Sequence, residues 1–419
     1  MRIWSKSSRY RSRLITYFLA ILTVTITLAM VIYPKESFDS AMMGLNLWWD
    51  VVFPALLPFF ILTEILMGLG VVHFIGVLLE PLMRPLFNVP GVGAFALSMG
   101  LASGYPMDAV ITCKFRKSQL CTATEAERLL AFTNTADPLF MFGAVAVGMF
   151  GMPELGVIFA LTHYLSSFAV GIIYRYHGYF KEVSNYKDET ALLKGNIIIR
   201  AFRALHDARR KDNRSLGELL GDSVKTSMNT IILIGGFIIL FSVFLKIVSV
   251  IGLTGFLAKM FGGLLSMVGF DESLALPLVN GLFEMDLGTL AASQANAPLV
   301  EKVTIASAII AWSGLSVHGQ VASIVIESGI RMAPYMVARL LHAVLAAIFT
   351  ILLMNTTPSL ISTFIVPVMA EPQAINIGGL WFARFEKAFN QVLIVTLILI
   401  ALSLTIYLAK QISLYLKHR

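Results

Sequence analysis

Ser103, Gly104 and Tyr105 stand with Pro106 in the middle of an apolar stretch, and Asn280, Glu284 and Asp286 interrupt a second stretch in the same way. About thirty residues after each lies another polar break. The first is Asn134, Thr135 and Asp137 before Pro138; the second is Ser313, Gly314, Ser316, His318 and Gln320. Paired interruptions at corresponding places in two halves of an apolar chain point to a transporter's binding site.

Each interruption suggests its own chemistry. At Gly104–Pro106 the helix must break, which frees backbone groups that hydrocarbon cannot satisfy but a ligand or water can. The amides that open the following half-helix would suit a carboxylate, with Ser103 and Tyr105 beside them. The plainer alternative is a tight packing turn. Glu284 and Asp286 are too close for both to ionise easily in a site of low dielectric, so one is expected to hold a proton or face a cation. The rival reading for this pair is a structural helix cap. Pro138 removes a helix hydrogen bond and pushes Asp137 out of helical geometry.

Substrate-binding candidates are therefore Ser103, Gly104, Tyr105, Asn134, Thr135, Asn280, Ser313, Ser316 and His318, and coupling candidates are Glu284, Asp286 and Asp137. His318 also reads as a hydrogen-bonded core histidine. Glu64, His163, Arg339 and His342 fall inside apolar segments. Arg339 could neutralise an anion, pair internally, or snorkel to the interface.

The elements that must position these groups follow from composition. Hydrophobic residues are 57% of the 419, charged residues 14%, and mean hydropathy is +0.79. That excludes a soluble globular domain and predicts an all-α polytopic membrane protein. Eight spans are expected, near 14–33, 48–70, 127–150, 155–175, 226–250, 300–326, 335–354 and 390–410, plus two re-entrant hairpins at 91–115 and 273–297. Each half of a hairpin is too short to cross alone.

Charge placement tests this count, because Lys and Arg concentrate on the cytoplasmic side. With the N-terminus inside, Arg84, Lys114, Arg116, Lys117, Arg128, Arg331 and a basic linker fall on that side, and so do Lys417 and Arg419. Lys35, Lys259 and Lys302 mark the sparsely basic outside. Residues 48–177 and 223–354 then form two inverted repeats, flanked by an N-terminal anchor and loop (1–47), the cytoplasmic linker (178–222) and an outside loop with a last span (355–419). The basic residues 2–13 before the first span read as the flank of an uncleaved anchor. The linker's basic face would suit anionic lipid headgroups.

The net charge of +7 is explained by these membrane flanks, so nucleic acid is not an expected partner. Membrane lipids and a small molecule are, with a homo-oligomer allowed. Cys113 and Cys121 read as apolar fillers with no metal-ligand spacing. No cofactor is expected beyond a coupled proton or sodium ion. The absence of an HExxH helix, a GxSxG elbow or a GxxxxGK[ST] loop argues against an enzyme. Thr124 to Glu127 fits a helix capping box.

Several strings carry a family resemblance: Leu56-Leu57-Pro58-Phe59-Phe60, Gly100 to Pro106, Ala126 to Asn134, Pro138-Leu139-Phe140 and Thr162-His163-Tyr164. Together they resemble the YlbJ family, also called SpoVV, of sporulation integral membrane proteins with a nucleoside-recognition Gate domain, over most of 45–355. The resemblance implies a protein of the outer forespore membrane in a spore-forming bacterium, associated with passing dipicolinic acid from the mother cell. It also implies kinship with concentrative nucleoside transporters. The substrate would be an aromatic dicarboxylate or a nucleoside-like molecule, and the rival to transport is a spore-envelope assembly role. Asp108 departs from the small residue expected after the Tyr-Pro element.

Overall fold

The computed structural model describes residues 17, 20, 21, 23–178, 196–356 and 405. The expected last span, most of the loop before it and part of the linker lie outside the described residues. Among the described residues there is helix and no strand.

The chain opens with α1 (Thr23–Ile32), α2 (Pro34–Leu47) and α3 (Phe53–Gly68), the last two joined by a π-helical turn, Trp48–Val52. Counted as Pro34–Val52 and Leu56–Gly68, this pair bends by 53°. Then come α4 (Val71–Leu82), the hairpin helices α5 (Gly93–Ser103) and α6 (Met107–Lys117), α7 (Ala123–Thr133), a π-helical segment Phe140–Met149 and α8 (Leu155–Tyr174). The linker holds α9 (Ile197–Asp212). The second half repeats the order: long α10 (Leu216–Val250), α11 (Leu253–Met267), hairpin helices α12 (Ala275–Phe283) and α13 (Met285–Gln294), broken α14 (Leu299–Trp312) and α15 (Gly314–Val325), and α16 (Met332–Thr356).

Four helical stretches among the described residues have the length and apolarity to cross a membrane: Leu155–Tyr174, Leu216–Val250, Leu299–Val325 and Met332–Asn355. The bent α2–α3 pair makes a fifth. The span expected at 127–150 is instead two short helices about an extended Asn134–Asp137 segment. Neither α4 nor α11 was expected, since helices of 12 and 15 residues are too short to read as spans.

Local chemistry fixes several helix starts. The capping box of α7 uses Thr122 and Glu125, two residues before the expected Thr124 and Glu127, because Thr122 carries the extended backbone that an N-cap needs. Ser215 and Glu218 form the same device at α10. Glu127 instead accepts a bidentate pair from Arg331, at 2.6 and 2.7 Å, joining α7 to the turn before α16. The indole of Trp48 donates to the Ile231 carbonyl at 2.9 Å and locks the α2–α3 bend onto α10. A core of Leu56, Phe140, Ile231 and Ile309 runs between the halves.

Candidate functional site

The first hairpin turns at Gly104, whose φ of 65° and ψ of −162° only glycine adopts without strain. A Cβ there would stand 2.9 Å from Asp137 Oδ2. The tip therefore lies directly on the first break. Asp137 Oδ1 accepts from the amides of Leu139 and Phe140 at 3.0 and 2.9 Å, capping the segment that Pro138 restarts. Ser103 closes α5, and its side chain lies outside the described residues. The phenol of Tyr105 donates to the Ile310 carbonyl on α14 at 3.1 Å, so the first tip also reaches the second half.

The second tip is built the same way. Glu284 has extended backbone between α12 and α13, and its Oε2 caps α13 by accepting from Leu287 N at 2.9 Å. Gly314 has φ of 71°, and a Cβ there would stand 3.0 Å from the Met285 amide and the Phe283 carbonyl. The second tip thus lies on the second break as the first lies on its own. Ser316 Oγ donates to Glu284 Oε1 at 3.5 Å. Asp286 is buried, and its Oδ1 has no hydrogen-bond partner among the described residues.

These parts enclose a cavity of about 50 Å³ whose polar lining is Tyr105, Asp137, Glu284, Asp286, Ser316 and Gln320. Both tips and both breaks contribute. The helices α3 and α10 supply its apolar wall through Leu56, Phe60, Ile234 and Phe237.

Other candidates lie behind this lining. Asn134 spends its amide on Asp108 at 2.6 Å and its Oδ1 on the Tyr335 phenol at 2.8 Å. Thr135 Oγ1 turns to the Thr133 carbonyl at 3.4 Å. Ser313 is fully buried in left-handed geometry, with its hydroxyl on the Trp312 carbonyl. His318 Nδ1 donates to the Gly314 carbonyl at 2.7 Å, and its ring lies between Trp312 and Tyr335. Asn280 contributes its carbonyl, which accepts the Glu284 amide at 2.8 Å.

Two residues have a different place from the one expected. Asp108 is fully buried and accepts from both Thr133 Oγ1, at 3.1 Å, and Asn134. It ties α6 to the first break. Arg339 is also fully buried, so it does not snorkel; it donates through Nη1 to the Asn134 carbonyl and lies 6.0 Å from the ring centres of Tyr105 and Tyr335. His163 accepts the Ala136 amide at 3.0 Å, and His342 donates to the His163 carbonyl at 2.9 Å. The four residues form a scaffold that holds the extended segment 134–137 open. Cys113 and Cys121 are free and buried, and no metal-ligating group of His, Cys, Asp and Glu occurs among the described residues.

A profile described as nucleoside recognition, Gate, matches residues 49–153, which hold the first tip and the first break. Over 346 residues the chain is 45% identical to the sporulation integral membrane protein YlbJ of Bacillus subtilis (strain 168), covering 83% of either chain. The chain belongs to the YlbJ family. It is an integral membrane protein, as its apolar helices require. Similar solved structures include CNTnw in an inward-facing substrate-bound state, at 14% identity and a TM-score of 0.49, covering 83% of this chain and 86% of that one. A variant of CNTnw in an intermediate state aligns at 11% identity and 0.45, over 85% and 86%. The YlbJ-family match spans the tips, the breaks and the polar scaffold behind them, whereas the Gate match ends before the second half begins.

Proposed function

We propose that this YlbJ-family protein is a secondary transporter that carries a small polar metabolite by alternating access, with the two hairpin tips and two broken helices as its binding site. The observation that supports this most is the shared cavity of Tyr105, Asp137, Glu284 and Ser316, which draws one polar group from each interruption. Non-helical backbone at membrane depth is tolerated where it is buried in protein or lines a cavity, and these four interruptions do line one. The recurring element order supports reading 48–177 and 223–354 as two inverted units, with 1–47, the linker 178–222 and 355–419 outside them. Both termini are then cytoplasmic.

The substrate we propose is dipicolinic acid, moved out of the mother cell across the outer forespore membrane for spore maturation. The ring of Tyr105 suits its ring, and opening the first tip would release the Tyr105 phenol from the Ile310 carbonyl for a carboxylate. Asp137, Glu284 and Asp286 do not suit a bare dianion, so the substrate enters with protons or cations, and Asp286 is the group we assign to that coupling. A second reading, a nucleoside symporter, draws on the Gate match and on a cavity rich in acceptors. Uptake into proteoliposomes separates the two: saturable accumulation of labelled dipicolinate, unaffected by excess uridine, supports the first. Saturable uridine uptake without dipicolinate uptake overturns it in favour of the second.

A further inference from the structure

The central cavity has neighbours on both sides, stacked along the same helices. On one side a chamber of about 170 Å³ is lined by Thr63 and Glu64 of α3 and by Ser227 and Thr230 of α10. On the other a cleft of about 470 Å³ is lined by Asp39, Asn46, Asp50 and Val51. The order along the bent α2–α3 pair is Asp39 to Val51 for the cleft, Val52 to Phe60 for the centre and Phe60 to Glu64 for the chamber. Along α10 the chamber takes Ser227 to Leu233 and the centre takes Ile234 and Phe237, the reverse direction that an antiparallel neighbour requires.

The chamber lies towards the linker. Glu64 is one turn from the end of α3, and a Cβ at Gly68 there would run into Leu219, near the start of α10. Ser227 is eleven residues beyond Leu216, about 16 Å along the helix. Phe60 and Tyr105 belong to the walls of both chamber and centre. They are the partition between them. Two buried polar atoms along this line have no hydrogen-bond partner among the described residues, Ser227 Oγ beside the chamber and Asp286 Oδ1 beside the centre.

The linings also share a sign. Asp39 and Asp50 face the cleft, Asp137, Glu284 and Asp286 the centre, and Glu64 the chamber, with no Lys or Arg among the described lining residues. A narrow path lined by one sign of charge concentrates the opposite sign.

We infer that the three cavities are one translocation route, closed in this conformation by Phe60 and Tyr105 towards the linker and by Val51 and Val52 towards the far side. The route passes neutral or positively charged solutes, and an anion only when it is paired with protons or cations. This rests on the transport reading above for its purpose, but its geometry can be tested without any substrate.

The test is cysteine accessibility in the full-length chain, with Cys113 and Cys121 replaced by alanine, in sealed vesicles of both orientations and with thermal midpoints measured for every variant. The probes are two membrane-impermeant methanethiosulfonates, one bearing trimethylammonium and one bearing sulfonate. Ser227→Cys, and Thr230→Cys as a second reporter, should react from the linker side only, and at least tenfold faster with the cationic reagent once each rate is divided by that reagent's rate with a free thiol in solution. Ser316→Cys should react slowly from that side, and adding Tyr105→Ala should raise its rate at least tenfold. Asn46→Cys should react from the opposite side. Absence of reaction at both Ser227→Cys and Thr230→Cys in folded protein, or equal rates with the two reagents after division by their free-thiol rates, would overturn the route. The expected labelling together with absent dipicolinate uptake supports the route while removing dipicolinate as its substrate.

Discussion

Asn134 donates its side-chain amide to Asp108 at 2.6 Å, joining the first broken helix to the far arm of the first hairpin. The bond lies wholly inside the protein, both residues being fully buried. Around it, Thr133 and Tyr335 complete the hydrogen bonds, and Arg339 takes the carbonyl of Asn134. The tip at Gly104 is held against Asp137 by this arrangement rather than by apolar packing alone.

Replacing Asp108 should therefore act on folding as well as on function. Asp108→Ala leaves the Asn134 amide without its acceptor, at about 1–3 kcal/mol for a buried group left unpaired, whereas Thr133 Oγ1 still has the Leu129 carbonyl at 2.9 Å. Asp108→Asn can keep one of the two bonds. Thermal unfolding in detergent should rank wild type above Asp108→Asn and that above Asp108→Ala; equal midpoints would show that the bonds contribute nothing.

Gly104 at the first tip and Gly314 at the second break make a matched pair. Gly104→Ala places a Cβ in left-handed backbone 2.9 Å from Asp137 of the first break, and Gly314→Ala places one 3.0 Å from Met285 and Phe283 of the second tip. Strain of about 1–3 kcal/mol is expected in each case. Uptake should fall by at least tenfold in both, while alanine at Gly217, where a Cβ meets no atom within 4 Å, should leave it unchanged. Wild-type uptake by either glycine variant would mean that the close approach is not needed.

The two acids of the second tip should separate. Glu284→Gln keeps an oxygen that can cap α13 through Leu287 N, so the variant should fold and bind. Asp286→Asn alters a carboxylate with one unpartnered oxygen, and uptake by this variant should no longer respond to an imposed proton or sodium gradient. Gradient-driven uptake at the wild-type rate by Asp286→Asn would remove it from the coupling role.

Arg339 supports the same segment from behind. Arg339→Ala removes a buried guanidinium and the donor to the Asn134 carbonyl, and leaving that buried carbonyl unpaired costs about 1–3 kcal/mol. Arg339→Lys keeps the charge but not the planar fork between the rings of Tyr105 and Tyr335. Thermal midpoints should fall in the order wild type, Arg339→Lys, Arg339→Ala, and a midpoint for Arg339→Ala equal to wild type would assign the arginine no supporting part.

Much of the site's outline was legible in the sequence because it is written in punctuation. Glycine, proline and acidic residues inside apolar runs mark Gly104, Asp137, Glu284 and Gly314 without any knowledge of contacts. What sequence could not show was which polar residues satisfy one another. Asn134 reads as a ligand because it is polar and central, and its side-chain hydrogen bonds go to Asp108 and Tyr335; His318, which reads as a ligand or a hydrogen-bonded core histidine, donates to the Gly314 carbonyl. Asp108 looked discordant because its partners are 25 and 26 residues away. Arg339 sits amid apolar residues of one helix, a pattern that fits an interfacial arginine equally well. The short helices α4 and α11 escaped for another reason: a span-length window averages them into their neighbours, although each opens at a left-handed glycine, Gly70 and Gly252.

The central claim is that four interrupted segments form one substrate site, and the most direct measurement is the structure of the full-length protein determined with saturating dipicolinate. The account predicts ligand density between Tyr105, Asp137, Glu284 and Ser316, with carboxylate oxygens on the Gly104 side and Asp286 beside a proton or cation. Density elsewhere, with this cavity still closed and empty, would contradict it.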